Sequence, residues 1–448
     1  MKKIRFYFTY IFIKCLYLFM KLLHKGATQT PGRIAIALCP DFLEHIKKPK
    51  LIIGITGTNG KTTTTNLIVD TLETLGVSVL NNKRGSNSAS GIASSLIGNF
   101  SKKDIAVFEV DERSTIRIFP FMKFDYLVST NITRDTIMRN AHPKYIVDII
   151  NSTLREDTTL IINSDDFFSC LLGKENNTKI YYSVGPQEDD KKKIDNIIKD
   201  AVYCPKCGGK LEFSNIKYLY IGKYKCNKCG YENPICKFVT KSIDKNKRIL
   251  TLNNKEYPLI DDGIFNIYNE TAAISILLTL GYKEKAIASS LLKQKLPSIR
   301  YRSDTVDNIT LYRVLAKSQS PTAVSTLFDR VKKDPGTKEV ILAYDDIHMV
   351  KHGSENMSWL YDTDFEFLKD KNIKRIIIGG PRSLDNHLRL LMTGIDPNKL
   401  ILADDEYDVK NKLKFDCDNI YLMHDMYNEV MAGVIYEEIL EMMKERKN

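Results

Sequence analysis

The sequence predicts an α/β protein with two sheet-forming units, and three observations carry that prediction. Short apolar runs alternate with helical stretches from Leu51 onward. The first run, LIIGIT (51–56), passes through a Gly-rich turn into a helical start, the strand–loop–helix order of a phosphate-binding motif. Two C-x₂-C pairs then interrupt the alternation, which resumes after Pro297.

The loop reads TGTNGKTTT over 56–64. Gly57 and Gly60 free backbone N–H groups, with those of Thr58 and Asn59, to face phosphate oxygens. Lys61 supplies a positive charge, Thr62 offers a hydroxyl to Mg²⁺, and Thr63 continues the helix N-terminus, whose dipole favours an anion. Ile55 stands where the strict motif has its first Gly, so the form is a variant of that pattern.

At 448 residues the chain holds about three domains on a length prior. Hydrophobic content of 43% fits a globular protein with a sizeable core. The 66 Lys+Arg exceed 55 Asp+Glu by 11, spread over the chain without a basic block. That distribution disfavours nucleic acid and leaves an anionic membrane surface or an acidic substrate. Nine cysteines are an odd count, and four fall in a metal pattern, which suits a reducing cytoplasm better than a disulfide framework.

Residues 4–23 are apolar and aromatic but carry Arg5, Lys14 and Lys21. No small-residue cleavage site follows, which argues against a signal peptide. Lys14 lies near the middle, where a charge costs about 2.5–3.5 kcal/mol on insertion scales, which argues against a span. A helix at a membrane surface, the favoured reading, or one packed on the protein tolerates the lysines best. Pro31-Gly32 is expected to end the segment, and residues 1–46 are set apart from a central domain over 47–296.

Within that domain DIAVFEVDER (104–113) ends in acids. Of Glu109, Asp111 and Glu112, Glu109 is the preferred carboxylate for the nucleotide's Mg²⁺. FDYLVSTN (124–131) and TLIINSDD (159–166) end in polar loops, making Asn131, Asn163, Asp165 and Asp166 site candidates. Cys204, Cys207, Cys226 and Cys229 form C-x₂-C-x₁₈-C-x₂-C inside an insert of about 201–238. Each pair makes a knuckle turned by Gly208 or Gly230, and four thiolates close a structural Zn²⁺ site without a position for water. Asn266 and Asn269 open a long helix ending near Gly281. The last domain, 297–448, reads as a second α/β unit, Rossmann-like, with a loop rich in His and acids before Trp359.

Together the loop, EVDER, NSDD, the four-Cys insert and SWLYDTDFE resemble the Mur ligase superfamily, and more closely the MurT-type subunits of lipid II isoglutaminyl synthase. The resemblance implies ATP, Mg²⁺ and amidation of the α-carboxyl of D-isoglutamate in the lipid II stem peptide through an acyl phosphate. It implies ammonia from a GatD-type glutamine amidotransferase partner, and a cytoplasmic protein at the inner membrane face. By family match Glu109 is the metal carboxylate, Asn266 and Asn269 lie near the base, and Arg300 lies close to the nucleotide. The family's Asp before Ser-Trp, held to orient the histidine of the partner's Cys-His dyad, corresponds to Asn356, with Glu355 beside it. An amide there supports an imidazolium poorly; Asp to Asn in a triad can cost about 10⁴ in rate. A stand-alone amino-acid ligase of Mur or folate type, or a weakened paralogue acting as scaffold, are the alternatives.

Overall fold

The computed structural model describes residues 2–23, 28–83, 86–135, 142–294, 301–316, 320–344, 357–425 and 428–446. The chain divides into two compact units, one of residues Met1–Thr133, His142–Ile194 and Lys199–Leu296, the other of Arg134–Ala141, Asp195–Ile198 and Pro297–Asn448.

The first unit opens with helix α1 (Lys2–Leu22), followed by α2 (Thr30–Leu38) and α3 (Phe42–His45). Pro31 starts α2 rather than ending the segment before it, because Pro fits the first helical turn, where its missing N–H has no partner to lose. Gly32 is required there: a Cβ would collide with the Ser90 carbonyl. One stripe of α1, Phe6, Thr9 and Ile13, is buried at helical spacing. Phe6 packs on Phe42 and His45, with ring centroids 5.3 and 5.5 Å apart. The opposite stripe leaves Ile4, Phe8, Ile11, Phe12, Phe19 and Leu22 exposed. No helix among the described residues is long and apolar enough to cross a membrane.

The sheet of this unit contains, among the described residues, β1 (Leu51–Thr56), β2 (Val79–Asn81), β3 (Ile105–Glu109), β4 (Tyr126–Ser129), β5 (Thr159–Asn163), β6 (Lys179–Val184), and, past the insert, β9 (Phe238–Asp244), β10 (Ile249–Leu252) and β11 (Lys255–Pro258). Its order is β11-β10-β9-β6-β5-β4-β1-β3-β2. Strands from β2 to β9 run parallel, and β9, β10 and β11 add an antiparallel edge. Parallel strands buried on both faces need continuous apolar runs, which LIIGIT and TLIIN supply. Helices α4 (Lys61–Thr74), α5 (Ala89–Ile97), α6 (Thr115–Ile118), α7 (Pro143–Thr153), α8 (Ile264–Thr279) and α9 (Glu284–Leu291) accompany it. The insert folds as the hairpin β7 (Leu211–Tyr218) and β8 (Ile221–Cys226).

In the second unit β12 (Tyr301–Val306), β13 (Ile309–Leu315), β14 (Lys338–Ala343), β15 (Ile373–Gly379), β16 (Leu400–Leu402) and β17 (Asn419–His424) form a sheet of order β12-β13-β17-β14-β15-β16. All neighbours pair in parallel except β12 with β13. Helices Pro321–Lys333, Ser358–Asp362, Ser383–Met392 and Glu429–Glu445 accompany it. Trp359 is buried edge-on to Tyr344, 5.9 Å between centroids, so it completes the core of this unit. Below it, Asp364 accepts from Asn196 Nδ2 (2.7 Å) and Ile197 N (2.6 Å), and burial raises its carboxyl above the ordinary range.

Candidate nucleotide and metal sites

Strand β1 lies between β3 and β4, in register Ile55 with Glu109 and Thr56 with Ser129. The chain leaves all three strands at their carboxyl ends, where open parallel sheets bind ligands. Three stretches therefore meet: the loop 57–60, the acids after β3, and residues 130–133 after β4.

The loop needs its glycines. Gly57 has φ +131° and Gly60 has φ +87°, and a Cβ would strike Thr130 Oγ1 at the first and Asn269 Oδ1 at the second. Residues 130–133 clamp it from one side. Thr58 N donates to the Asn131 carbonyl (2.7 Å), and Asn59 N to Asn131 Oδ1 (3.1 Å). In return Thr130 Oγ1 (2.6 Å) and Asn131 Nδ2 (2.9 Å) donate to the Asn59 carbonyl. Thr58 Oγ1 donates to the Thr133 carbonyl and accepts from Thr133 N, both at 3.0 Å.

Lys61 opens α4 with its side chain folded back. Its ammonium donates to the carbonyls of Gly57 and, at 3.4 Å, Thr58, and pairs with Glu112 Oε1 at 3.2 Å, both partners buried. One residue on, Thr62 Oγ1 donates to Glu109 Oε2 at 2.8 Å. The two groups read as magnesium ligands are thus in direct contact. Glu109 is held by Asn87 Nδ2 on Oε1 (3.1 Å), and its backbone by Asn82 in two bonds of 2.9 Å. Asp111 instead caps the turn after β3, accepting from Arg113 N and Ser114 N. Thr63 is half-buried in the first turn of α4. Asn269 lies against Gly60, and its amide donates to Asn266 Oδ1 at 3.3 Å, while Asn266 donates to Asp261. Arg300, Glu355 and Asn356 lie outside the described residues.

Sequence reasoning passed over Glu112 as the lysine's partner, Asn82 and Asn87 as the supports of Glu109, and Thr130 and Thr133 in the clamp. The readable signal was two Asn, Asn82 and Asn87, in the stretch between β2 and α5, without a fixed spacing. Of the NSDD residues, Asn163, Asp165 and Asp166 are buried and brace the site instead of lining it. Asn163 Nδ2 donates to the Thr130 carbonyl (3.1 Å). Asp166 accepts from Ile132 N and Ser169 Oγ, both 2.5 Å, and burial pushes its carboxyl up to about 7.

Glu270, next to Asn269, is 1% exposed, and burial pushes its carboxyl up to about 8. Ile260 N donates to its Oε2 at 3.2 Å. The native state therefore keeps a proton that the unfolded chain gives up near 4.3, and stability falls as pH rises from there to about 8. Glu270→Gln is expected to flatten this dependence and to gain about 2–4 kcal/mol at pH 8. Calorimetry at pH 6 and 8 checks it; equal slopes for both proteins would refute it.

The four cysteines converge. Cys204 and Cys229 Sγ are 3.6 Å apart, Cys207 and Cys226 Sγ 3.5 Å, and all four lie within 4.8 Å of one another. A tetrahedral ion with Zn–S bonds of about 2.3 Å needs sulfurs about 3.8 Å apart, so the tetrad fits zinc. Backbone N–H groups of Lys206, Gly209 and Lys228 donate to the sulfurs of Cys204, Cys207 and Cys226, each at 3.4 Å. Gly208 and Gly230 turn the knuckles at φ +68° and +73°. Cys236 Sγ contacts the Pro234 carbonyl and is outside the tetrad.

The Mur ligase middle domain family matches residues 55–227, and the MurT ligase C-terminal family matches residues 317–427. Over 384 residues the chain is 30% identical to the lipid II isoglutaminyl synthase (glutamine-hydrolyzing) subunit MurT of Staphylococcus aureus (strain COL), covering 85% of this chain and 86% of that one. The subunit of the same name from Streptococcus pneumoniae (strain ATCC BAA-255 / R6) is 28% identical over 412 residues, 90% of each chain. Among solved structures, a pseudomurein peptide ligase type C from Methanothermus fervidus aligns with TM-score 0.67 at 20% identity, over 89% of this chain and 81% of that one. MurF from Acinetobacter baumannii aligns with TM-score 0.63 at 14% identity, over 91% and 80%. These two share the Mur ligase fold. The relatives at 28–30% identity cover 85–90% of this chain, and the chain belongs to the MurT family of Mur ligases.

Proposed function

We propose that this chain is the synthetase subunit that amidates lipid II. ATP phosphorylates the α-carboxyl of D-isoglutamate in the stem peptide, ammonia attacks the acyl phosphate, and D-isoglutamine and phosphate leave. The observation that carries this reading is the loop of β1 with Lys61 at its end and Thr62 in contact with Glu109. When nucleotide enters, the Lys61 ammonium exchanges loop carbonyls for phosphate oxygens, and the loop N–H groups other than those of Thr58 and Asn59, which bond Asn131, cradle the rest. Thr62 and Glu109 would hold Mg²⁺, which neutralises charge on the transferred phosphoryl group. Thr63, Asn266 and Asn269 complete the nucleotide site in this reading.

The central ATPase domain spans 47–296, with a structural zinc on Cys204, Cys207, Cys226 and Cys229, and a Rossmann-like domain spans 297–448. The ammonia comes from a GatD-type glutamine amidotransferase subunit, whose dyad Glu355 or Asn356 supports. Helix α1 lies on the inner membrane face: its exposed stripe of Ile4, Phe8, Ile11, Phe12 and Phe19 is apolar, and its charges, Lys2, Lys3, Arg5, Lys14 and Lys21, are all basic.

One experiment tests both parts. Lipid II in anionic vesicles is incubated with the chain, ATP, Mg²⁺ and ammonium, and analysed by mass spectrometry. A shift of about 1 Da, carboxyl to amide, is expected without added amino acid. Absence of the shift sinks the amidation reading. In the same vesicles Phe8→Glu/Phe12→Glu is expected to abolish co-sedimentation; unchanged sedimentation rules out α1 as the contact.

A further inference from the structure

The insert reaches much further than its cysteines. Its hairpin carries thiolate chemistry at the base, where Leu211 pairs with Cys226, and aromatic residues at the tip, where Tyr218 pairs with Ile221. The tip is buried in the first unit. Tyr220 is 2% exposed, and its Oη donates to the Ile132 carbonyl at 2.8 Å. Its ring stands edge-on to Phe168 at 5.4 Å. Tyr218 packs on Phe265 at 4.4 Å, beside Asn266. Midway along β8, Lys223 donates to Asp165 Oδ1 at 2.7 Å, and the other oxygen of that carboxylate accepts from Tyr268 Oη (2.9 Å) in α8 and from Val184 N (2.9 Å).

Ile132 lies in the stretch that clamps the phosphate loop, between Asn131 and Thr133, which bond Thr58 and Asn59. Its N–H is taken by Asp166 and its carbonyl by Tyr220, so both backbone polar groups of that residue are pinned. A buried carbonyl that loses its donor must find another or shift, and a shift here moves the clamp.

We propose that Tyr220 is a positioning residue for nucleotide binding, and that the four-cysteine module, through this hairpin tip, holds residues 130–133 against the phosphate loop. The module is thereby coupled to ATP affinity although its thiolates touch no nucleotide. This rests on the reading of residues 57–63 as the nucleotide site.

The test measures ADP binding to the full chain by calorimetry, with zinc content and thermal stability in parallel. Tyr220→Phe keeps the ring and removes only the donor. Its dissociation constant for ADP is expected to rise about three- to tenfold, the effect of one lost hydrogen bond to a buried group, with zinc content unchanged. Tyr231→Phe, in the same module with its ring 5.9 Å from Tyr224, is expected to leave ADP affinity unaltered. Stripping zinc from the wild-type chain with a chelator is expected to weaken ADP binding, and the further loss caused by Tyr220→Phe should then shrink, because the tip is already released. Equal affinity of wild type and Tyr220→Phe overturns the proposal while leaving the nucleotide site intact. No ADP binding by the wild-type chain overturns the site assignment and the proposal with it.

Discussion

Lys61→Ala is expected to lower lipid II-dependent phosphate release from ATP by about 10²–10³ or more, the range for removing one preorganised charge from a transition state. The ammonium is the first-turn cation of α4 and is aimed at the loop carbonyls where phosphate oxygens would lie. The variant also takes from the buried Glu112 carboxylate the ammonium it pairs with, and breaking a buried ion pair by removing one partner lowers stability. The two effects separate in Lys61→Ala/Glu112→Gln, which is expected to recover thermal stability but not turnover. Turnover that persists in Lys61→Ala would remove the nucleotide assignment from this loop.

Cys226→Ser is expected to release the metal and lower the melting temperature by about 5 °C or more, read by elemental analysis and calorimetry. Structural zinc contributes about 10–16 kcal/mol in isolated finger peptides. The loss here is smaller, because Tyr218, Tyr220, Ile221 and Tyr224 bury the hairpin against the rest of the first unit. Cys236→Ser serves as the comparison and should change neither quantity, since its sulfur is outside the tetrad. A wild-type chain purified without metal, and as stable as Cys226→Ser, would refute the zinc reading.

The alternation of apolar runs and helices was legible because parallel strands buried on both faces leave little freedom in composition. The helix from Lys61 and the α8 helix both lie where the sequence places them. Local chemistry was legible too: a Gly-Lys-Thr turn and a spaced Cys tetrad declare themselves within a few residues. What escaped depends on strand register. That Glu112 meets Lys61 while Glu109 meets Thr62 follows from the pairing of β1 with β3, which no local pattern encodes. Asn131, Asn163 and Asp166 looked like ligand residues because polar strand ends usually are; in this sheet they are consumed in bracing the loop. Pro31 read as a terminator, yet Pro opens helices as readily as it ends them. YLYI between the Cys pairs was the overlooked signal, an aromatic run too apolar for a solvated hairpin tip.

The contacts that make the phosphate loop join residues far apart in the chain: Thr62 to Glu109 spans 47 positions, Lys61 to Glu112 spans 51, and Asn59 to Asn131 spans 72. Closing such loops has an entropic cost that is met only once the parallel strands have paired, and parallel pairing is slow. The cradle therefore has no existence in a short peptide carrying TGTNGKTTT, and it matures with the sheet as a whole. Nucleotide binds only the finished sheet and stabilises it by mass action. A cell rich in ATP thus holds in its folded state the very domain that consumes it.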